Sequence, residues 1–210
     1  QNIRNTISKK ENELNQVLIE ISQKKEGLAN IERYKLLLFG QGTALEKQVA
    51  QVLEEIGFNV IRGENNRKDL QIEYSGKVAV VEVKGVEKSG KEAHSRQLET
   101  WVSEYFAENE GVESCKGIMF LNAYCKDPLE ERDSKTIFPK SMVDYSSRNQ
   151  HCLMTTTQLL GIYLTLKKDS SHRDRYIDEI FKTIGVYPNF SDYREYIGIE
   201  EENAVTEKNT

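Results

Sequence analysis

The 210-residue sequence is poor in cysteine, histidine and proline, with three of each, and these shortages exclude several classes of protein. Three cysteines without a Cys-x-x-Cys pair do not make a disulfide framework, so we expect reduced thiols and a cytoplasmic location. The three histidines are scattered and lack the spacing of a zinc site. No run of about 18 apolar residues is present, so we expect no membrane-spanning helix.

The sequence also lacks an excess of positive charge. It contains 29 Lys and Arg against 34 Asp and Glu, which gives a net charge of −5. This balance argues against nucleic-acid binding through bulk positive charge alone, whereas a local basic patch is compatible with it. Hydrophobic residues make up 38% and charged residues 30%, a composition that suits one compact domain with solvated extensions. Because the chain begins with Gln1 and not with methionine, we expect it to be a piece of a longer protein.

Residues 1–35 are predicted to form one coiled-coil helix. Its apolar residues recur at seven-residue intervals, at Ile7, Leu14, Ile21 and Leu28. Most of the complementary positions of the heptad are also apolar, but Lys10 and Lys24 interrupt them and weaken the seam. The stripe could pack on the chain's own domain, or against a second copy or an upstream helix. The regular spacing favours the second arrangement, so we expect a homo-oligomer.

Residues 36–168 are predicted to carry the fold, and residues 169–210 to form a polar C-terminal extension. Helical and strand patterns alternate in the central stretch, with helices at about 43–56, 92–107 and 157–166 and strands at about 58–61, 69–74, 77–84, 116–123 and 152–155. This order predicts an α/β fold with a mixed central sheet flanked by helices. In the extension we expect a helix at about 174–184 and a disordered end.

The connection Ser75-Gly76 predicts a tight hairpin between two strands. A two-residue turn pairs Tyr74 with Lys77. Counting outward from that pair, Asp69 faces Glu82 on the same side of the sheet, with Cβ atoms roughly 5 Å apart. The strand that carries Glu82 is almost entirely apolar, so it is predicted to be buried on both faces.

Two carboxylates that face each other on a buried strand repel each other and need compensation. A basic neighbour, a raised pKa or a bound cation can provide it. Lys84 lies on the same face about 6–7 Å further along the strand. Mg²⁺ takes oxygen ligands and is often held by one or two carboxylates, so this set suits metal-assisted phosphodiester hydrolysis. The alternative is a surface hairpin whose acids are neutralised by Lys84 and Arg67, but the apolar strand argues against it.

Asp69, twelve intervening residues and then Glu82-Val83-Lys84 resemble the Asp…Glu-x-Lys core of the PD-(D/E)XK restriction-endonuclease-like nucleases. Predicted helices before and after the hairpin agree with that family's order, and the resemblance covers roughly residues 36–168. It implies a restriction-endonuclease-like fold. It also implies Mg²⁺, or Mn²⁺ in its place, held by Asp69, Glu82 and Val83, with Asp69, Glu82 and Lys84 as catalytic residues.

Two further residues carry over from the resemblance. Glu46 matches a first-helix glutamate that many members use as an extra metal ligand. Its alternative role is a capping box in which Thr43 is the N-cap. Gln97, on the helix that follows the Glu-x-Lys strand, is similar to the glutamine of an Arg-Gln-Leu segment in several members, where it contacts the site or the phosphate. Its alternative is an ordinary glutamine on a helix surface.

Charge near the predicted site favours a polyanionic substrate. From Arg62 to Arg96 the sequence holds eight basic and six acidic side chains, although the whole chain is acidic. A basic loop, Lys88 to Lys91, follows the Glu-x-Lys strand and could contact phosphates. We therefore predict nucleic acid as the partner, with DNA favoured over RNA.

The sequence-based hypothesis is a Mg²⁺-dependent DNA endonuclease that acts as an effector in prokaryotic antiviral defence or in DNA processing. Its alternative is a non-catalytic nucleic-acid-binding or assembly module on the same scaffold. The Gly40-Gln41-Gly42-Thr43 segment lacks the lysine of a nucleotide-binding P-loop. A sensor or NTPase activity is therefore expected on a region upstream or on a partner protein.

Overall fold

The structure, a computed structural model, describes residues 2–63 and 69–197. Seven α-helices lie in these ranges: α1 (Asn2–Phe39), α2 (Gly42–Ile56), α3 (Glu92–Glu108), α4 (Leu129–Arg132), α5 (Lys140–Arg148), α6 (Thr156–Lys168) and α7 (Arg173–Lys182). The strands of the described ranges are β1 (Asn59–Arg62), β2 (Leu70–Tyr74), β3 (Lys77–Gly85), β4 (Lys116–Asn122), β5 (Cys152–Thr155) and β6 (Gly185–Val186). The predicted disorder at residues 200–210 lies outside the described residues.

The six strands form one mixed sheet whose spatial order, β1 to β6, follows the order along the chain. Strand β2 is antiparallel to both β1 and β3, and β3, β4, β5 and β6 are parallel. The predicted α/β fold with a mixed central sheet is therefore confirmed. Strand β3 lies between its two types of neighbour, and its five middle residues are all buried.

Helices cover the sheet on both sides. Helix α3 packs with α5 on the face that carries Val80 of β3 and Met119 of β4. Successive side chains of a strand alternate between faces, so Ala79 and Val81 point to the opposite side. Helices α2 and α6 pack there against the sheet and against each other. Glu82 shares its face with Val80 and therefore points toward α3.

The hairpin between β2 and β3 has the predicted register. Tyr74 pairs with Lys77, and Leu70 pairs with Val81 at the far end of the ladder. Ser75 and Gly76 have φ angles of 48° and 77°, the left-handed values that a two-residue type I′ turn requires. This turn fixes the register, and the next residue before the ladder is Asp69.

The segment between β4 and β5 contains two helices, α4 and α5, where the sequence pattern indicated neither helix nor strand. Pro128 and Pro139 stand directly before these two helices, where a residue without an N–H loses no helical hydrogen bond. Met142 and Ser146, four residues apart on α5, are buried. A single apolar residue on that face leaves too weak a periodic signal for detection in the sequence.

The described residues after 168, up to 197, belong to the packed fold. Strand β6 pairs with β5, and Tyr187 just after it is 1% exposed. Ile177 and Ile180 of α7 are buried as well. The packed structure thus continues beyond residue 168, at which the sequence analysis ends the nuclease domain.

Helix α1 presents its apolar heptad residues to solvent. Residues 1–35 form one compact unit and residues 36–210 another. In the first unit, Ile7, Leu14, Ile21 and Leu28 are between 43% and 58% exposed. In the second unit, Leu37 and Leu38 at the end of the helix are buried. The coiled coil remains a prediction. It requires an apolar stripe that is accessible to a partner helix, and these exposed residues provide one. No helix among the described residues combines the length and the apolar character that a membrane span needs.

Deletion of residues 1–35 is expected to leave the second unit folded and to weaken self-association. Residues 1–35 form a compact unit of their own, and the sheet with its covering helices belongs to the other unit. Circular dichroism and thermal melting would test the folding of the truncated chain, and sedimentation velocity would test its oligomeric state. In the full chain, Leu14→Asp should weaken association, whereas Ser22→Asp adds the same charge away from the stripe and should not. Equal oligomeric states for the full and truncated chains would rule out a role of the coiled coil in assembly.

Candidate active site at the end of strand β3

Glu82 is a charged residue in the most buried part of the sheet. Its exposed fraction is 0%. Its Oε2 atom accepts a hydrogen bond of 2.9 Å from Nε1 of Trp101 on α3. Its Oε1 atom is in ion-pair contact with Nζ of Lys84 but receives no well-oriented hydrogen bond from the described residues. One oxygen of this carboxylate is therefore held by a neutral donor, and the other faces the cation of Lys84.

Asp69 lies at the bend just before β2, directly beside the Glu82 strand. Its Oδ2 atom accepts a hydrogen bond of 2.7 Å from the backbone N–H of Val83. This contact extends the hairpin by one position beyond the Leu70–Val81 pair. The structure therefore brings Asp69 close enough to Glu82 for its charge to act on that carboxylate.

The two carboxylates make each other's surroundings unfavourable for negative charge. Burial and the charge of Asp69 raise the pKa of Glu82 to about 7, although Lys84 and Trp101 act in the opposite direction. Burial also raises the pKa of Asp69, against the effects of the Val83 N–H and the Lys84 ammonium. These shifts are typical of a site that binds a cation, because a cation removes the repulsion.

Lys84 carries the positive charge of the cluster. Burial alone would lower its pKa, but the neighbouring Glu82, followed by Asp69 and Glu46, outweighs that effect and raises it. Lys84 is therefore an ammonium at neutral pH. It lies two residues beyond Glu82 on the same face of β3, so its Nζ reaches the same carboxylate.

Glu46 lies on α2 and belongs electrostatically to the same cluster. Burial and the charge of Asp69 raise the pKa of Glu46, and Lys84 lowers it. The capping box predicted for Thr43 and Glu46 is wrong, because α2 begins at Gly42 and Gln41 is its N-cap, without a side-chain cap. The turn before α2 is fixed by a residue distant in the sequence, because the side chain of Asn122 donates a hydrogen bond of 2.9 Å to the Gly40 carbonyl.

Gln97 is half-buried on α3. Within the described part of the chain, no hydrogen bond joins its side chain to Asp69 or Glu82. The contact with Glu82 comes instead from Trp101, four residues later on the same helix. Sequence reasoning did not assign Trp101 a role. The available signals were that it is the chain's single tryptophan and lies one helical turn from Gln97.

His94 is a second residue near the site that the sequence analysis set aside. It lies in the first turn of α3, and its Nδ1 accepts a hydrogen bond of 3.3 Å from the backbone N–H of Lys91. Burial lowers its pKa, and the positive charges of Lys84 and Lys91 lower it further. The imidazole therefore stays neutral near pH 7 on the basic side of the cluster.

Two basic side chains after β3 are open to solvent. Lys88 and Lys91, in the loop between β3 and α3, are exposed. Other basic residues of this region form ion pairs: Arg62 with Glu54, Lys77 with Asp178 and Arg96 with Glu92. Arg67 and Lys68 lie outside the described residues. Lys88 and Lys91 are thus exposed positive charges of the loop that leaves strand β3.

The donor atoms at this site fit a hard divalent cation. Two carboxylates meet here, and within the described residues the buried Oε1 of Glu82 contacts the Lys84 ammonium but has no well-oriented hydrogen bond. Val83, between Glu82 and Lys84, carries a main-chain carbonyl as a further oxygen. In the described parts of the chain, no three Asp, Glu, His or Cys side chains group closely enough to hold a metal ion by themselves. Mg²⁺ commonly uses only one or two carboxylates and keeps several waters, so the pair of Asp69 and Glu82 is sufficient for it.

Comparison with known proteins supports the fold. No family model matches the sequence, and no curated protein gives a significant match. Among solved structures, restriction endonuclease FokI is similar, with a TM-score of 0.54 and 13% sequence identity. The match covers 80% of this chain and 34% of the FokI chain, so this chain spans about a third of that protein's length. The likeness establishes a restriction-endonuclease-like fold.

Proposed function

We propose that this protein is a Mg²⁺-dependent nuclease that hydrolyses phosphodiester bonds, with DNA as the favoured substrate. The observation that carries the proposal is the buried Glu82, held between Trp101 and Lys84 and beside Asp69, on the central strand of a restriction-endonuclease-like fold. The similar structure is that of a restriction endonuclease, which supports DNA as the substrate. The exposed Lys88 and Lys91 next to the site agree with a polyanion.

In this proposal the carboxylates of Asp69 and Glu82, with the main-chain carbonyl of Val83, hold the metal. Glu46 is the candidate for an additional ligand. Bound Mg²⁺ supplies a water of lowered pKa and neutralises charge that develops on the phosphoryl group. Mn²⁺ has the same preference for carboxylate and carbonyl oxygens and could take its place.

Lys84 acts directly on the reacting groups in this proposal. Its ammonium can donate hydrogen bonds to the attacking water and to the phosphate oxygen on which negative charge accumulates. Its position two residues after Glu82 keeps it beside the carboxylates that hold the metal. Gln97 is proposed to contact the phosphate or the site from α3, where its half-buried side chain lies.

The biological setting is proposed from the same resemblance. A nuclease of this type would be the effector of a prokaryotic antiviral defence or DNA-processing system in the cytoplasm. The exposed stripe on α1 supports a homo-oligomer. A sensor or NTPase region would then lie upstream or on a partner protein.

Incubation with plasmid, linear duplex and single-stranded DNA, and with RNA, in the presence and absence of Mg²⁺ tests the proposal. We expect Mg²⁺-dependent cleavage of DNA by the wild type and none by Glu82→Gln, which keeps the shape and removes the charge. Binding of DNA without cleavage of any substrate would favour the alternative, a non-catalytic nucleic-acid-binding module.

Mg²⁺ is also expected to raise the melting temperature of the wild type. A ligand that binds only the folded state stabilises it by about 2.7 kcal/mol at a hundred times its dissociation constant. Differential scanning calorimetry in EDTA and in millimolar Mg²⁺ would measure the shift. The shift should vanish in Glu82→Gln and persist in Glu87→Gln, since Glu87 is exposed in the following loop. Equal shifts in both variants would contradict a metal site at Glu82.

A further inference from the structure

The single tryptophan of the chain is bonded to the buried carboxylate of the candidate site. Trp101 lies in the middle of α3, and its Nε1–H donates a hydrogen bond of 2.9 Å to Oε2 of Glu82. The indole packs against the apolar cluster between α3 and the sheet, beside the buried Leu98 and Val102. The donor is therefore anchored by packing on a regular 17-residue helix.

A buried carboxylate has a defined orientation only when its oxygens are differently bonded. In Glu82, Oε2 receives the indole N–H and Oε1 faces the Lys84 ammonium. Without the indole bond, the carboxylate could rotate and turn both oxygens toward Lys84. The bond thus fixes the plane of the carboxylate and keeps one oxygen away from the ammonium.

The chemical nature of the donor matters for this role. An indole N–H is neutral and only donates, so it holds one oxygen without competing for the negative charge. An arginine or lysine at the same place would neutralise Glu82 and weaken its attraction for a cation. In other metal sites, loss of a hydrogen-bonding partner that orients a ligand typically lowers metal affinity or activity by about ten- to a hundredfold.

We propose that Trp101 is a positioning residue that orients Glu82 as a metal ligand and that its indole reports on the state of this ligand. The inference rests on the proposed function, because it assigns Glu82 to metal binding. In this role Trp101 acts through Glu82 and not on the reacting groups themselves.

Trp101→Phe removes the N–H donor and retains an aromatic ring. We expect its Mg²⁺ dissociation constant, measured by isothermal titration calorimetry, to rise by about ten- to a hundredfold. Cleavage should fall at low Mg²⁺ and recover largely at high Mg²⁺. Val102→Ala is the matched control, since it perturbs the same helix and the same cluster without touching Glu82. It should lower the melting temperature and leave the Mg²⁺ affinity unchanged.

Spectroscopy tests the contact independently of turnover. With one tryptophan, the ¹⁵N-labelled protein gives a single indole N–H resonance. In EDTA this resonance should shift in Glu82→Gln and remain in place in Glu87→Gln. In the wild type, Mg²⁺ should change the tryptophan emission, and this change should be absent in Glu82→Gln.

The outcomes distinguish the inference from the proposed function. If the wild type binds Mg²⁺ and cuts DNA, but Trp101→Phe does both with unchanged constants, the positioning role is overturned and the proposed function stands. An indole resonance that is indifferent to Glu82→Gln overturns the contact itself. A wild type that neither binds Mg²⁺ nor cleaves any substrate overturns both.

Discussion

Asp69→Asn, Glu82→Gln and Lys84→Ala are each expected to reduce cleavage by about 10²–10³-fold or more. Each removes a charge that acts on the metal or the reacting groups, and loss of one such preorganised contact costs about 2.7–4 kcal/mol of transition-state stabilisation. The rate falls about tenfold for every 1.4 kcal/mol. Single-turnover cleavage at saturating Mg²⁺ and DNA would measure the loss.

Two exposed residues provide matched controls for these variants. Glu87→Gln removes an acid from the loop after β3, and Lys47→Ala removes a basic side chain from the exposed face of α2. Both should retain near wild-type activity. If one of the three site variants keeps more than a tenth of the wild-type rate, the assignment of that residue is wrong.

The metal-free protein is expected to lose stability as the pH rises from about 4.5 to about 7, and Glu82 is the main cause. The pKa of Glu82 is raised from 4.5 to about 7 by burial and by Asp69. As the pH rises, Glu82 therefore loses its proton in the unfolded chain before it does so in the folded protein. Stability is therefore fully present below pH 4.5 and falls as the pH increases through the folded pKa. At about 1.4 kcal/mol per pH unit, the free energy of unfolding decreases by on the order of 3 kcal/mol over this interval.

Denaturant unfolding in EDTA, followed across this pH range, would isolate the effect as a difference between variants. Glu82→Gln should be more stable than the wild type above pH 7 and should lose most of the pH dependence of this interval. The remaining slope should include Asp69, whose pKa is raised in the same direction. A wild type whose stability relative to Glu82→Gln is constant from pH 4 to 8 would contradict the buried, repelled carboxylate.

The sequence predicted the hairpin and its carboxylate pair because both depend on local rules. The two-residue turn at Ser75-Gly76 fixes the register up to the Leu70–Val81 pair, and Asp69 is the next residue before it, near Glu82. The burial of β3 followed from its unbroken apolar run. These features need no knowledge of distant parts of the chain.

Features that depend on distant contacts could not be predicted in this way. The start of α2 depends on Asn122, which bonds the Gly40 carbonyl from 82 positions away. Pairing of the two-residue strand β6 with β5 reflects the burial of Tyr187, and two residues carry no periodicity. The Trp101 contact required the orientation of α3 over the sheet, which helical spacing alone does not define.

The strand order of the sheet has a consequence for how the chain folds. Every strand pairs with its neighbour in sequence, and the entropy of loop closure grows with the length of the loop. The turn between β2 and β3 is therefore the least costly closure in the sheet, and the crossover from β3 to β4 is far longer. The turn between β2 and β3 brings Asp69 and Glu82 together. Trp101 lies on α3, in the crossover from β3 to β4, so its indole reaches Glu82 only when this longer connection packs on the sheet. The repulsion between the two carboxylates thus arises from a contact that is local in the sequence, and the neutral hydrogen bond from Trp101 arises from a contact of longer range.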